Sequence, residues 1–156
     1  MIYLFLVMII IFFGYIGYIW NQFGILPSIS DSYYHLTKDQ KILFTFFCWG
    51  FAFPVIIIGN SALMFLAGSA ITFVGAAPAF KETLTRTVHF VGAVIGILAA
   101  QLSIFFDYKL LYVNIIFILI SLMFLIFKKL KSHRVWWIEI AAFLSIVYTL
   151  AINLLS

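Results

Sequence analysis

Hydrophobic residues dominate six stretches of the chain, and polar residues gather in the short segments between them. A helix crosses a hydrocarbon core of roughly 30 Å with about 20 apolar residues, which is close to the length of each stretch. The pattern therefore predicts an all-α fold, a polytopic membrane bundle of six transmembrane helices. The predicted spans are residues 1–20, 42–59, 61–80, 88–106, 110–127 and 135–155.

The spans are predicted to be helical because lipid offers no hydrogen-bond partner to a free backbone group. A transmembrane β-barrel would show alternating polarity, and these stretches do not. Residues 59–61 and 107–109 predict tight turns, and only the first loop, 21–41, is long enough for structure of its own. The sequence thus predicts a single integral membrane domain over residues 1–156.

Composition strengthens this interpretation. Hydrophobic residues make up 66% of the chain and charged residues 9%, whereas soluble domains have roughly 45–50% and about 25%. A soluble particle of this size could not hide so much apolar surface from water. The single cysteine, Cys48, excludes an intrachain disulfide and a cysteine-based metal cluster.

Basic residues are concentrated in alternate loops, so the net charge of +4 indicates topology rather than nucleic-acid binding. Lys109 is the one basic residue on the other side. The positive-inside rule then predicts that loops 1, 3 and 5 are cytoplasmic and that both termini are outside. Trp20, Trp136 and Trp137 lie near predicted span ends on the same side, where interfacial anchors are expected. A bacterial inner membrane, including that of a phage-infected cell, is the expected location. The basic residues of loops 1, 3 and 5 are Lys38, Lys41, Lys81, Arg86, Lys128, Lys129, Lys131 and Arg134.

Small residues favour close contact between the third and fourth spans. The fourth span contains Gly92 and Gly96 at the GxxxG spacing, and the third is rich in alanine and glycine. Helices in lipid associate where small residues let their backbones approach. We expect packing within one chain, with a homo-oligomer as the alternative. Membrane lipids are the other expected partners, and no nucleic acid is expected.

Two ionisable residues are predicted at similar membrane depth. His89 and Glu139 each lie about one turn inside the cytoplasmic end of a span, and His89 shares a helix face with the small residues. Ionisable groups at membrane depth mark functional sites by default. The alternative interpretation is structural: His89 and Glu139 pair with each other, or Glu139 reaches the nearby basic residues.

The first loop carries the string Ser-Ile-Ser-Asp-Ser-Tyr-Tyr at 28–34. Ser30 or Asp31 could start a short helix, because Ser and Asp are capping residues. The string is expected to form a turn that covers the bundle, either as a capping segment or as part of a site. The candidate ligand-binding residues of that site are Ser30, Asp31, Tyr34, Arg86, His89 and Glu139.

This string, a Phe-rich second helix that opens as Leu43-Phe44, and the Arg86-x-x-His89 opening of a middle helix carry a resemblance. The chain resembles six-helix bacterial membrane proteins of unknown function that are similar to the Frag and damage-regulated autophagy modulator families. It is more distantly similar to the ceramidase and progestin-receptor superfamily of membrane hydrolases. The nearest families have no settled activity, so the resemblance implies a fold more than a chemistry.

The hydrolase superfamily would imply a zinc ion held by three histidines, with a serine and an aspartate nearby. This sequence departs from that pattern, because it has only His35, His89 and His133, and no helix carries two of them at i, i+4. No nucleophile elbow, phosphate-binding glycine loop or metal motif is present. The sequence therefore favours a role other than an enzyme, with no metal and no cofactor.

The sequence leaves three functions open. The first is a membrane protein that binds a lipid headgroup or another small ligand in a cytoplasmic-side polar pocket. The second is a pore-forming or structural protein similar to a phage holin, although holins usually have fewer spans. The third is a small transporter, although the two halves of the chain show no repeat of the kind common in transporters.

Overall fold

The computed structural model describes residues 1–76, 82–127 and 132–155, and it describes residues 82–86 through their backbone only. Within these ranges the chain forms helices, turns and loops, and no strand. The helices of this part of the chain are α1 (Ile2–Phe23), α2 (Ser32–His35), α3 (Lys41–Ile58), α4 (Ala62–Ala76), α5 (Glu82–Phe106), α6 (Leu111–Ile126) and α7 (Arg134–Leu155).

The all-α prediction is confirmed for the described ranges, and each predicted span overlaps one of the six longer helices. The difference is α2, a seventh, short helix in the first loop, where the capping residues predict one. A second difference is that α5 begins at Glu82 rather than at residue 88, because hydropathy marks the apolar part of a helix and not its polar first turns. The last predicted residues of the third span, 77–80, lie outside the described ranges.

Four helices are long and apolar enough to cross a membrane, judged by length and composition: α1, α3, the Thr87–Phe106 part of α5, and α7. The other two apolar helices, α4 and α6, have 15 and 16 residues. At 1.5 Å per residue they reach about 23 Å, which is short of a core of roughly 30 Å. The bundle is therefore compatible with a multi-pass membrane protein.

Large apolar side chains also cover the outside of the bundle. Phe90 is 67% exposed, Leu119 is 61% exposed and Ile126 is 71% exposed. A helix of a water-soluble bundle would instead turn polar residues outward. The interior is apolar as well. For example, Phe12 of α1 packs against Phe143 of α7, with ring centroids 5.5 Å apart.

Glycines of α5 bring this helix into close contact with α4. A Cβ atom at Gly92 of α5 would lie 3.2 Å from the carbonyl oxygen of Ala70 in α4. A Cβ atom at Gly96 would lie 3.5 Å from the Cβ of Ala70. The predicted packing of the small residues in these two helices is thus present within a single chain.

At one end of the bundle, hydrogen bonds join the α3–α4 turn to the α5–α6 turn. Ser103, which is fully buried, donates to the Asp107 carboxylate at 2.7 Å and accepts from Ser61 at 2.8 Å. Tyr108 donates to the carbonyl oxygen of Gly59. Burial and the neighbouring Asp107 raise the pKa of Tyr108 to about 12, so that this phenol remains a donor at neutral pH. This end of the bundle is held by structural contacts.

The tryptophans near the opposite end differ in their surroundings. Trp20 is 51% exposed and meets Trp137 edge-on, as the expected interfacial anchors would. Trp136 is fully buried instead, and its backbone N–H donates to the carbonyl oxygen of Pro27 at 3.0 Å. The interfacial expectation is wrong for Trp136, because part of the first loop folds over it.

Candidate functional site

Residues 26–36 of the first loop fold back onto the bundle, and we call them the cap. Leu26, Ile29 and Leu36 bury their side chains with 6% or less exposed, and Ser32 is fully buried. In an exposed loop these side chains would be accessible to solvent or lipid. The cap is therefore packed against the bundle, in agreement with the predicted turn that covers it.

The cap is attached to the start of α7 by its own backbone. The N–H of Ile29 donates to Oε2 of Glu139 at 2.6 Å. The carbonyl oxygen of Pro27 accepts from the N–H of Trp136, and that of Leu26 lies 3.3 Å from Nδ1 of His133. A hydrogen bond to a charged group contributes about 1.5–3 kcal/mol, so the Glu139 contact is the strongest of the three if the carboxyl is ionised.

A buried hydroxyl pair holds the other side of the cap. Ser32 donates to the carbonyl oxygen of Ile29 at 2.5 Å, and its Oγ lies 2.6 Å from the phenol oxygen of Tyr15. Because the serine proton is already donated, Tyr15 is the donor of the second bond. The Tyr15 ring stacks on Phe47 with centroids 4.4 Å apart. The cap is thereby fixed to α1 and α3 as well as to α7.

The prediction that Asp31 could start a short helix is confirmed, since Asp31 is the N-cap of α2, although its carboxylate makes no capping hydrogen bond. The N–H of Asp31 itself donates to Oγ of Ser28 at 3.1 Å, and that Oγ lies 3.0 Å from the hydroxyl of Ser30. The Asp31 carboxylate is thus left without a local backbone partner among the described residues.

A cavity lies directly beneath the cap, between α3, α4, α5 and α7. Its volume is about 60 Å³. Its lining residues are Ile29, Ser30, Phe44, Phe47, Cys48, Ile71, Val74, His89, Ala93, Gly96, Ile97, Glu139, Ala142, Phe143 and Ile146.

The polar groups of the cavity gather at its capped end. Ser30 belongs to the cap, and His89 and Glu139 are the first lining residues of α5 and α7. Beyond them the walls consist of aromatic and aliphatic side chains. The two residues predicted at similar depth therefore face one space, and among the described residues no hydrogen bond joins them directly.

A hydrogen-bonded cluster closes the bundle about one helical turn deeper than Ile97. Gln101 donates to the hydroxyl of Ser145 at 2.8 Å, and Asn114 donates to the Gln101 side-chain oxygen at 3.0 Å. Ile104 and Leu150, further along α5 and α7, are fully buried. The inner end of the cavity is therefore packed core, and the cavity ends blindly.

The remaining predicted site residues lie in different places. Asp31 is partly buried and close enough to His89 and Glu139 for their charges to interact. Tyr34 does not line the cavity: α2 turns its ring outward, where it is 67% exposed and packs edge-on against Tyr33. The side chain of Arg86, predicted for the same pocket, lies outside the described part of the structure.

The cavity offers no set of metal ligands. Across the described ranges, no three His, Cys, Asp or Glu side chains come together in a way that could hold a metal ion. His35 packs beside the ring of Phe23, and His133 contacts the cap backbone. The groups in the described lining that remain for chemistry are one imidazole, one serine hydroxyl, one thiol and one carboxyl, which can bind and orient a polar group.

Sequence reasoning did not identify the apolar walls or the backbone amide of Ile29. Phe44 and Cys48 follow the same hydropathy pattern as lipid-facing residues of α3, so nothing in the sequence separates a cavity wall from a lipid contact. The amide that binds Glu139 belongs to the loop backbone, and residue types do not predict how close a loop amide comes to a helix side chain. The one usable signal was the shared depth of His89 and Glu139.

Comparison of the chain with protein-family models, with curated proteins and with solved structures found no match. The resemblance carried by residues 28–34 and by the Arg86-x-x-His89 spacing therefore stays a prediction. The function proposed below depends on the geometry of the cavity and on the membrane-compatible surface.

Proposed function

We propose that the chain is a multi-pass membrane protein with six crossings. Four helices of sufficient length support this, together with the apolar outer surface. Tight connections at 59–61 and 107–110 join α3 to α4 and α5 to α6.

The proposed orientation puts the cap on the cytoplasmic side of a bacterial inner membrane. Eight of the nine basic residues lie in the segments that the sequence predicts as loops 1, 3 and 5, and the positive-inside rule favours the cytoplasm for such loops. The candidate site would then open near the inner leaflet. The turn at 107–110 would face the outside.

A labelling experiment tests this orientation. With Cys48 replaced by alanine, Thr37→Cys and Lys109→Cys each place one thiol at an exposed loop position. We expect a membrane-impermeant maleimide to label the Lys109→Cys protein in intact cells and to leave the Thr37→Cys protein unlabelled. Permeabilised cells, in which both must react, are the control, and the reverse labelling pattern would refute the orientation.

We infer that the cavity under the cap binds a small ligand, such as part of a lipid headgroup. The observation that carries this inference is the segregation of the lining: Ser30, His89 and Glu139 at the capped end, and apolar side chains elsewhere. Apolar pockets with a few converging polar groups are the usual form of ligand sites. The blind inner end supports binding over conduction through the bundle.

Filling the cavity tests the binding function. Ala93 lines the cavity, so Ala93→Phe is expected to occupy the space of the ligand. In native mass spectra of protein extracted gently from its membrane, we expect wild type to carry a bound small molecule. We expect the bound fraction to fall about tenfold in the variant, equivalent to about 1.4 kcal/mol of binding free energy.

Leu98→Phe is the matched control, because it adds an aromatic ring at a position on the same helix that is 57% exposed. It is expected to retain the bound molecule at the wild-type level. Equal retention by all three proteins, or no bound molecule in wild type, would reject the binding function.

A further inference from the structure

We propose that the cap is the gate of the cavity: a ligand enters and leaves when residues 26–36 move away from the bundle, and a bound ligand keeps them closed. This inference depends on the binding function proposed above and describes how that site opens. It is based on the boundary of the cavity, on the contacts that attach the cap, and on the two segments that connect the cap to the long helices.

The cap is the part of the cavity boundary that can move without separating long helices. Among the described lining residues, Ile29 and Ser30 belong to the cap, and the others belong to α3, α4, α5 or α7. Those helices contact one another closely. Gly92 of α5 lies against the backbone of α4, and Phe47 of α3 packs on Phe143 of α7 with ring centroids 5.6 Å apart. A ligand that passed between the helices would have to break such contacts.

A small number of local contacts attach the cap. Its α7 side is held by the bond from the N–H of Ile29 to Glu139, and its α1 side by the bond between the hydroxyls of Tyr15 and Ser32. Neither Tyr15 nor Ser32 lines the cavity. Proteins open locally in units of this kind while the rest of the fold stays intact. The cap can therefore open without unfolding of the bundle.

Both ends of the cap are connected to the bundle by segments that suit hinges. Gly24 ends α1 with a φ of 75°, a backbone conformation that glycine adopts without steric cost. At the other end, residues 37–39 are exposed and precede α3. Hinges are typically a few loop or element-terminal residues that absorb the change in backbone angles. Rotation at these two places would lift the cap and leave α1 and α3 in position.

A ligand in the cavity contacts the gate from beneath. Ile29 and Ser30 form part of the lining, and Glu139 both lines the cavity and accepts from the N–H of Ile29. A molecule that contacts these residues binds the closed form better than the open form, so that occupancy stabilises closure. The coupling is reciprocal, and a change that loosens the cap must weaken binding by a corresponding factor.

Tyr15→Phe tests the gate from outside the cavity. The change removes the hydroxyl that bonds to Ser32 and leaves every lining residue in place. In nanodiscs, we expect N-ethylmaleimide to alkylate Cys48, which lines the cavity, about fivefold faster than in wild type. That factor corresponds to about 1 kcal/mol, the typical contribution of one neutral hydrogen bond. Ser32→Ala removes the same bond from the side of the cap and should accelerate alkylation at least as much.

Tyr108→Phe is the matched control. It also removes a tyrosine hydrogen bond, the one to the carbonyl oxygen of Gly59, but at the opposite end of the bundle. It should leave the alkylation rate of Cys48 at the wild-type value. This comparison separates opening of the cap from general loosening of the protein.

The second measurement follows release of the molecule that remains bound after gentle extraction. The protein is diluted into detergent that lacks native lipids, and the bound fraction in native mass spectra is recorded over time. We expect Tyr15→Phe to lose the bound molecule about fivefold faster than wild type, by the same conversion. Tyr108→Phe should lose it at the wild-type rate.

The outcomes separate the gate from the binding function. Wild-type rates of alkylation and release in Tyr15→Phe and Ser32→Ala would overturn the gate and indicate entry between helices, while a retained molecule would keep the binding function. Equal acceleration by Tyr15→Phe and Tyr108→Phe would overturn the gate as well. Faster alkylation in Tyr15→Phe alone, with no molecule bound to wild type, would reject the binding function and its coupling to closure but retain the movement of the cap.

Discussion

Gly68→Ala is expected to destabilise the bundle by about 1–3 kcal/mol, the cost of adding atoms to a well-packed contact. Gly68 lies in α4, where a Cβ atom would be 2.5 Å from Cγ1 of Ile56 and 3.0 Å from the carbonyl oxygen of Ala52. The second contact is backbone of α3, which can move only if the helices separate. Because helix association in lipid depends on close approach, the cost falls directly on the α3–α4 interface.

The measurement is the midpoint of thermal unfolding in a mild detergent, followed by the loss of the monodisperse chromatographic peak. Gly17→Ala is the matched control, since nothing lies within 4 Å of a Cβ built at Gly17 of α1. That change should leave the midpoint equal or higher, because alanine favours helix over glycine by about 1 kcal/mol. Equal midpoints for the Gly68 and Gly17 variants would show that α3 and α4 are not packed as described.

Glu139→Ala is expected to release the cap and to expose the cavity. The change leaves the N–H of Ile29 without its acceptor, which costs about 1–3 kcal/mol for a buried donor. Since 1.4 kcal/mol corresponds to a factor of ten, opening of the cap should become about tenfold more frequent. Cys48, which is 2% exposed beneath the cap, should be alkylated faster by a similar factor.

Two comparisons identify the cause of that increase. Glu139→Gln retains an accepting oxygen and should keep the alkylation rate of Cys48 close to that of wild type. Hydrogen exchange at the amide of Ile29 should speed up in Glu139→Ala and remain slow in Asp107→Ala, whose carboxylate belongs to the distant turn. An unchanged rate at Cys48 in Glu139→Ala would mean that the cap is held by its apolar contacts rather than by Glu139.

Much of the fold could be predicted from the sequence because its apolar stretches are long and show no alternating polarity, which favours helices. The small residues around Gly92 and Gly96 favoured a close contact with the preceding helix. The shared depth of His89 and Glu139 followed from counting turns from the ends of the spans. These features depend on periodicity and length, which a sequence shows directly.

The parts of the site that could not be predicted depend on loop geometry and on the rotation of helices. Tyr34 and Ser30 belong to the same string, yet α2 turns one outward and leaves the other beside the cavity. Trp136 is of a residue type typical of interfacial anchors, but it is buried, and its backbone N–H donates to the carbonyl oxygen of Pro27. Residue type does not determine the path of a loop backbone or which apolar face of a helix meets a cavity.

The most direct test of the central claim is an experimental density map of the wild-type protein in nanodiscs of its native lipids. The account predicts density for a bound small molecule under the cap, beside Ser30, His89 and Glu139. It would be contradicted by a cavity that is collapsed or filled by water alone. A map that places Glu139 against lipid, away from the amide of Ile29, would contradict it as well.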